Sequence, residues 1–244
     1  MHNVIIFGAS GHGSVVLDCL EKEGRYNVVG FVDSYKKKGT TINGYQVLGS
    51  EFDLPFLMNR FNIYGGLVAI GDNWTRKLIV DRIIKIIPNF NFVNTVHPKA
   101  VIGKDVLMGC GSVIMPGAIV NANAVIHDFC IINTNSSLGH DGVMDSYSSL
   151  APSVCSGGNL SLGQFSAVSL GVNIINGIKI GSHTVIGAGA LVVDNFGDYV
   201  VAYGSPARII RKRSKGESYL GSSKTKLDAT TLEYKDKIEL NLSS

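Results

Sequence analysis

The chain has 244 residues, 45% of them hydrophobic and 17% charged, with a net charge of +3. That balance suits a well-packed protein of one large or two small domains and is too mild to argue for a nucleic-acid partner. No apolar run reaches the twenty or so residues of a membrane span, and Met1 leads straight into a strand-like VIIFG, without the basic and cleavage regions of a signal peptide. The four cysteines, Cys19, Cys110, Cys130 and Cys155, stand far apart with no CxxC pair. They read as reduced, mostly buried small hydrophobes of a cytoplasmic protein.

In chain order, residues 4–7 (VIIF) are a short apolar run that ends in Gly8-Ala9-Ser10-Gly11-His12-Gly13. Ser14–Leu20 follows with helical spacing, Val15, Val16, Cys19 and Leu20 being apolar. Strand, glycine turn and helix is the arrangement in which backbone N–H groups at a helix start face an anion. A second strand, Val28–Val32, ends at Asp33, about twenty residues on, where an acidic group reaches a ribose or base in a βαβ nucleotide fold. The glycine spacing departs from G-x-G-x-x-G, so the residues alone leave both a nucleotide half-site and a structural turn open. Further strands are expected near Tyr45–Leu48 and Leu67–Ile70, and a helix near Arg76–Ile87. A unit of roughly 95 residues suits one nucleotide better than NAD.

Residues 88–101 bridge to a different pattern, with His97 reading as a junction residue. From Ile102 to Leu191 the chain divides into fifteen hexapeptides without a slip of register. The first place is apolar in fourteen of them, Ser156 being the exception. A fixed short period of six is neither helical nor simple alternation and signals a solenoid. Three hexapeptides make one triangular coil, and each first-place side chain points inward onto the residue eighteen positions away. At the usual strand spacing five coils rise about 24 Å, and each buried aliphatic contributes roughly 1.5–3 kcal/mol before chain entropy is counted. After Leu191 the repeat dissolves towards Tyr203-Gly204-Ser205-Pro206-Ala207-Arg208. Arg208, Arg211, Lys212 and Arg213 form a basic cluster that reads equally as a solvated face or as an attraction for phosphates. The Ser/Lys/Thr-rich remainder reads as a tail, partly helical near Leu232–Leu240.

Six histidines are present. His127, His140 and His183 fall at different places of the hexapeptide, so they do not stack into a common site, and no metal is expected. His127 and His183 are expected on the outer face. His140 closes a polar stretch, Asn133-Thr134-Asn135-Ser136-Ser137-Leu138-Gly139-His140-Asp141. A neutral imidazole suits proton removal from an attacking amine or hydroxyl near pH 7, and a carboxylate beside it would hold its tautomer. Adjacent strand residues point to opposite faces, so the pairing of His140 with Asp141 requires a corner or a main-chain bend. No serine or cysteine lies in a nucleophile arrangement, which favours direct transfer over an acyl-enzyme.

These motifs together resemble the hexapeptide-repeat acyltransferases, and among them the nucleotide-amino-sugar N-acetyltransferases and related sialic-acid O-acetyltransferases. The likeness rests on the hexapeptides, on GASGHG after the first strand, Asp33 after the second, Ala69–Asn73, the segment INTNSSLGHD at 132–141, and Gly204–Arg208. It implies a small N-terminal α/β domain, half of a Rossmann-like fold, over 1–95. An all-β left-handed parallel β-helix follows over 96–210, then a tail over 211–244. It further implies His140 as general base and Asp141 as its orienting acid. Ser10, Gly11 and His12 would meet a diphosphate or sugar, Asp33, Ser34 and Gly71 would line a nucleotide pocket, and Trp74 and Asn133 would face the substrate. Ser149 stands where relatives often carry a second histidine at the coenzyme, and Leu170 and Ala188 would line the pantetheine groove. Acetyl-CoA as co-substrate, a UDP-linked amino sugar as acceptor, a role in surface-glycan synthesis and a homotrimer with sites between prisms are all implied by the resemblance. O-acetylation of a sialic-acid-like sugar and a non-catalytic scaffold stand as the alternatives.

Overall fold

The computed structural model describes residues 1–220. The first part is a five-stranded sheet built from β1 (His2–Phe7), β2 (Tyr26–Val32), β3 (Thr41–Ile42), β4 (Tyr45–Gly49) and β5 (Ile63–Val68), in the order β3-β4-β2-β1-β5. Only the β3–β4 hairpin is antiparallel; the rest is parallel. A parallel sheet is apolar on both faces because helices cover both. Here α1 (Gly11–Glu23) lays Val16, Leu17 and Leu20 on one face against Val4, Ile6 and Phe31. On the other face, α2 (Leu54–Phe61) and α3 (Asn73–Ile86) bring Leu54, Leu57, Val80 and Ile83 against Ile5, Phe7 and Val32. The strands and helices expected from sequence are present, all starting at or before the expected residue, with β5 ending at Val68 and α3 at Ile86, short of the expected Ile70 and Ile87; α2 adds an element that the sequence reading did not contain. It begins at Leu54-Pro55, with Pro in the first turn where its missing N–H costs nothing.

Beyond Phe92 the chain winds into a triangular prism of two-residue parallel strands on three sheets. Strands pair eighteen residues apart, as Ile102 with Val120 and Val120 with Leu138. The inward places are those of the hexapeptide reading, and from Ile114 to Ile186 all are buried. Ser156 is tolerated inside because its Oγ donates to Ser137 O and accepts Gly139 N, each at 3.1 Å. The prism starts one strand before the regular repeat, at Thr95–Val96, which pairs with Val113–Ile114. It ends in an antiparallel hairpin, Val200–Gly204 with Ala207–Lys212. Arg211 and Lys212, read from sequence as the start of a tail, therefore belong to a strand, and residues 213–220 fold back along the molecule. The helix expected near Leu232–Leu240 lies outside the described residues.

Each prism corner holds one residue in the left-handed region, and the three corners use different side chains for it. One carries Asp105, Asn123, Asp141 and Asn159, with φ between 55° and 61°. Short polar side chains tolerate that conformation better than others. Another corner carries Phe129, Tyr147, Phe165, His183 and Tyr199, whose rings stack at centroid spacings of 4.7–5.3 Å. This column faces α3 and joins the two parts of the molecule. His183 is thus 6% exposed between Phe165 and Tyr199 rather than on the outer face, because the α/β part covers that corner. Burial, ahead of the Arg213 and Lys215 charges, lowers its pKa.

Arg76, 1% exposed, locks the joint. Its guanidinium donates to Phe129 O at 2.9 Å and Tyr147 O at 3.1 Å on the prism. It also donates to Ile70 O at 2.8 Å, Gly71 O at 3.1 Å and Asn73 Oδ1 at 2.6 Å on its own side. Asn73 Nδ2 adds a bond to Ser166 O at 3.0 Å. A buried guanidinium without a carboxylate is sustainable only where its donors are all used this way. Cys110 and Cys155 are exposed, against the expectation of burial, because both fall on outward places of the coil, whereas Cys19 and Cys130 are buried. Among the described residues no helix is long and apolar enough to cross a membrane.

Candidate active site

His140 and Asp141 sit on the corner of the Asp/Asn column. Asp141 has φ 55°, and this left-handed bend turns two adjacent side chains to the same side. His140 Nδ1 and Asp141 Oδ2 are 2.6 Å apart. Asn123, one coil earlier on the same corner, donates from Nδ2 to Asp141 Oδ1 at 3.2 Å. The bond from His140, then the one from Asn123, holds the Asp141 carboxyl below the usual carboxylate range. An ionised Asp141 accepts only, so Nδ1 carries the imidazole proton and Nε2 keeps its lone pair. The ring lies over Gly158, one coil later, where any Cβ would overlap Nε2 and Cε1. The His140 side chain is 59% exposed, so Nε2 is open to a substrate.

A cavity of about 540 Å³ lies between the α/β part and the prism. That is within the range of small-molecule sites. His12 and Gly71 line it from one side, and Asn133, Ser149, Leu170 and Ala188 from the other. His12 Nε2 is buried with no hydrogen-bond partner. Burial first, and the Arg76 charge second, lower its pKa from 6.5 to about 4, so the imidazole is neutral at pH 7. Six of the residues singled out from sequence therefore share one cavity. Ser10 and Gly11 do not line it; they stand exposed at the start of α1, where Ser10 makes no side-chain cap bond. There the first N–H groups of the helix have no intrahelical acceptor.

Asp33 and Ser34 line a second, smaller cavity of about 140 Å³ with Tyr35, Glu51, Thr75 and Arg82. Asp33 accepts Ala9 N at 2.8 Å and the Tyr35 and Lys36 N–H groups at 2.8 and 3.0 Å, so it is held as a turn acceptor across the glycine turn. Ser34 donates to Glu51, whose other oxygen takes Arg82 Nη1 at 3.2 Å. Gly71 belongs to the larger cavity rather than to this one. Trp74, expected at the substrate, lines neither cavity. Its ring packs edge-on to Phe165 at 5.2 Å and against His183 at 5.6 Å, because α3 lies along the aromatic corner.

His140 does not line the larger cavity of its own chain. The cavity follows the eight-stranded face and the corner after it, through Asn133, Pro152 and Leu170. His140 lies one corner further on. Among the described residues no group of three His, Cys, Asp or Glu is placed to hold a metal.

The model of the PglD N-terminal domain matches residues 3–83. GDP-perosamine N-acetyltransferase of Escherichia coli O157:H7 is 26% identical over 191 residues, 75% of this chain and 82% of the relative. UDP-N-acetylbacillosamine N-acetyltransferase of Bacillus subtilis is 32% identical over 117 residues, 47% of this chain and 52% of the relative. A histidine-to-asparagine variant of perosamine N-acetyltransferase from Caulobacter crescentus, solved with CoA and GDP-perosamine, superposes with a TM-score of 0.81. It is 32% identical and covers 87% of this chain and 98% of its own. The chain belongs to the hexapeptide-repeat sugar N-acetyltransferases. Its enzyme class is therefore acyl transfer from acetyl-CoA.

Several residues that shape the candidate site and its surroundings in this acetyltransferase were not singled out from sequence. Asn123 and Gly158 had a signal, since they stand eighteen residues from Asp141 and His140 in the repeat. Arg76 and Glu51 had none, because a charged residue on a helix or turn ordinarily points to water. Tyr219, whose OH lies 3.3 Å from Ser149 Oγ, came from a segment that sequence assigned to a tail.

Proposed function

We propose that the enzyme acetylates the amino group of a nucleoside-diphosphate-linked amino sugar in the synthesis of a surface glycan, in the cytoplasm, by direct transfer from acetyl-CoA. The observation that carries this reading is the His140–Asp141 pair at 2.6 Å with Nε2 exposed. The amine nitrogen attacks the thioester carbonyl while His140 Nε2 takes its proton. The C–N bond forms, the C–S bond breaks, and the imidazolium returns the proton to the leaving thiolate. Asp141 keeps Nδ1 protonated and stabilises the imidazolium. Asp33 and Ser34 are the proposed nucleoside contacts, with Ser10, Gly11 and His12 near the diphosphate or sugar and Asn133 at the sugar. Ser149, Leu170 and Ala188 are the proposed coenzyme contacts. The long match to GDP-perosamine N-acetyltransferases supports guanosine over the uridine expected from sequence.

The separation of His140 from the cavity of its own chain supports a homotrimer, in which the base of one prism faces the cavity of the next. The test is release of free thiol from acetyl-CoA with a panel of UDP- and GDP-amino sugars, alongside light scattering. Turnover with at least one sugar is expected, with His140→Ala losing roughly 10²- to 10⁴-fold and a particle of three chains. Silence across the panel, or full activity in His140→Ala, refutes the catalytic reading. A single-chain mass refutes the shared site.

A further inference from the structure

After the closing hairpin the chain does not leave the molecule. Arg213 turns it back: its backbone N donates to Tyr199 O at 2.8 Å and Nη1 to His183 O at 3.2 Å, at the end of the aromatic column. A turn follows, closed by Glu217 N to Ser214 O at 3.2 Å and Ser214 N to Glu217 Oε2 at 3.0 Å. Glu217 is also paired with Arg211 at 2.6 Å. Gly216 has φ 74° and lies so close on Trp74 that a Cβ would stand 2.7 Å from the indole Nε1. Lys215 Nζ covers the same ring at 5.3 Å. Trp74 is thus the bed of a strap, residues 213–220, and the strap runs to the cavity.

At its end, Tyr219 OH lies 3.0 Å from Gly71 O and 3.3 Å from Ser149 Oγ. Tyr219 and Leu220 line the cavity with His12, Asn133 and Ser149. A volume of about 540 Å³ remains with the strap in place, so the strap is a wall and not a plug. The hydrogen accounting at this point is constrained. Gly71 O can only accept, so the phenol proton goes to it. Ser149 then donates to the phenol oxygen, and its own oxygen keeps lone pairs that can accept from a ligand. Ser149 is 8% exposed on a strand of the prism, beside the apolar wall of Leu150, Ala151 and Leu170. An accepting hydroxyl oxygen at the end of an apolar groove suits an amide N–H of an extended amide-and-thioester arm.

We propose that Tyr219 is a positioning residue of the acyl-donor site: anchored on Gly71, its phenol oxygen accepts the Ser149 proton and holds Oγ on the cavity wall, so that the serine oxygen is aimed to accept an amide N–H of the acyl-pantetheine arm. The inference rests on the acetyl-CoA reading above. It makes the C-terminal strap part of the catalytic unit, joining the α/β part, the prism and the chain end at one hydroxyl pair.

The experiment is calorimetric titration of coenzyme A into the full chain and its Tyr219→Phe, Ser149→Ala and double variants, with steady-state KM for both substrates. Tyr219→Phe keeps the ring and its packing. Each single variant is expected to bind coenzyme A roughly 3- to 10-fold more weakly, the range of one neutral hydrogen bond. The double variant should be no weaker than the worse single, since the two hydroxyls act as one unit. KM for acetyl-CoA should rise with KM for the amino sugar unchanged, and the melting midpoint should stay put. A lowered melting point with unchanged coenzyme affinity in Tyr219→Phe overturns the proposal, as do single effects that simply multiply. If the wild type binds coenzyme A and Tyr219→Phe binds it equally, this inference alone falls. If the wild type does not bind coenzyme A, the proposed function falls with it.

Discussion

Gly158→Ala separates the chemistry of the site from the stability of the prism. A Cβ at 158 would stand 2.8 Å from His140 Cδ2 and closer still to Nε2 and Cε1. Ordinary contact begins at 3.4 Å, so Nε2 must retreat by about 1 Å. The ring is the far end of an exposed side chain, so it can swing aside at little conformational cost. The backbone at 158 is not in the left-handed region, and Ala is not strained there. Gly158 is buried beneath that ring, and because the ring rather than the backbone gives way the expected stability change is small, within about 0.5 kcal/mol. Activity responds differently. Nε2 is the atom proposed to take the proton, and a displacement of about 1 Å can cost roughly 10²-fold in rate. The ring also leaves its 2.6 Å contact with Asp141. The assay is kcat by thiol release, with a urea melt of the same preparation. A kcat loss of roughly 100-fold with an unchanged melt is expected. Unchanged kcat would show that the reacting nitrogen is not the one over Gly158. An unfolding midpoint that fell with kcat would show that the corner, not the base, needs the glycine.

Two further outcomes follow from buried polar groups. Arg76→Met removes the donor from four backbone carbonyls, on Phe129, Tyr147, Ile70 and Gly71. A loss of roughly 3–5 kcal/mol in urea unfolding is expected, and a loss below about 1 kcal/mol would refute its role as the lock between the two parts. His12, with its pKa lowered from 6.5 to about 4, binds fewer protons in the folded than in the unfolded chain between those values. Stability therefore falls as pH drops through that window, by about 2 kcal/mol between pH 8 and pH 5. His12→Asn should remove that part of the pH dependence, measured as the difference between the two melting curves; parallel curves would refute it.

The hexapeptides were legible because the period of six states, residue by residue, which side chain faces the prism axis. Each coil repeats the same decision, so an isolated exception such as Ser156 does not shift the register. His140 and Asp141 were legible as a polar pair in an otherwise bland rod, and Asp is a residue that accepts the left-handed bend their pairing needs. His183 was misplaced because its hexapeptide position is outward, and only the packing of α3 on that corner buries it. Trp74 was expected at the substrate from the resemblance, and its ring is taken up by the same corner and by the strap.

The sequence by itself thus determined the prism, its register, the strand–turn–helix of the N-terminal part and the histidine with its carboxylate, all from local spacing. Tertiary structure decided where the α/β part docks, which residues share a cavity and where the chain end returns. The Arg76–Phe129 bond spans 53 residues and the Tyr219–Gly71 bond 148. Contacts between such distant segments leave no period in the chain, because each is a single meeting rather than a repeated one. They are set only when the apolar faces of the two parts have been buried against each other.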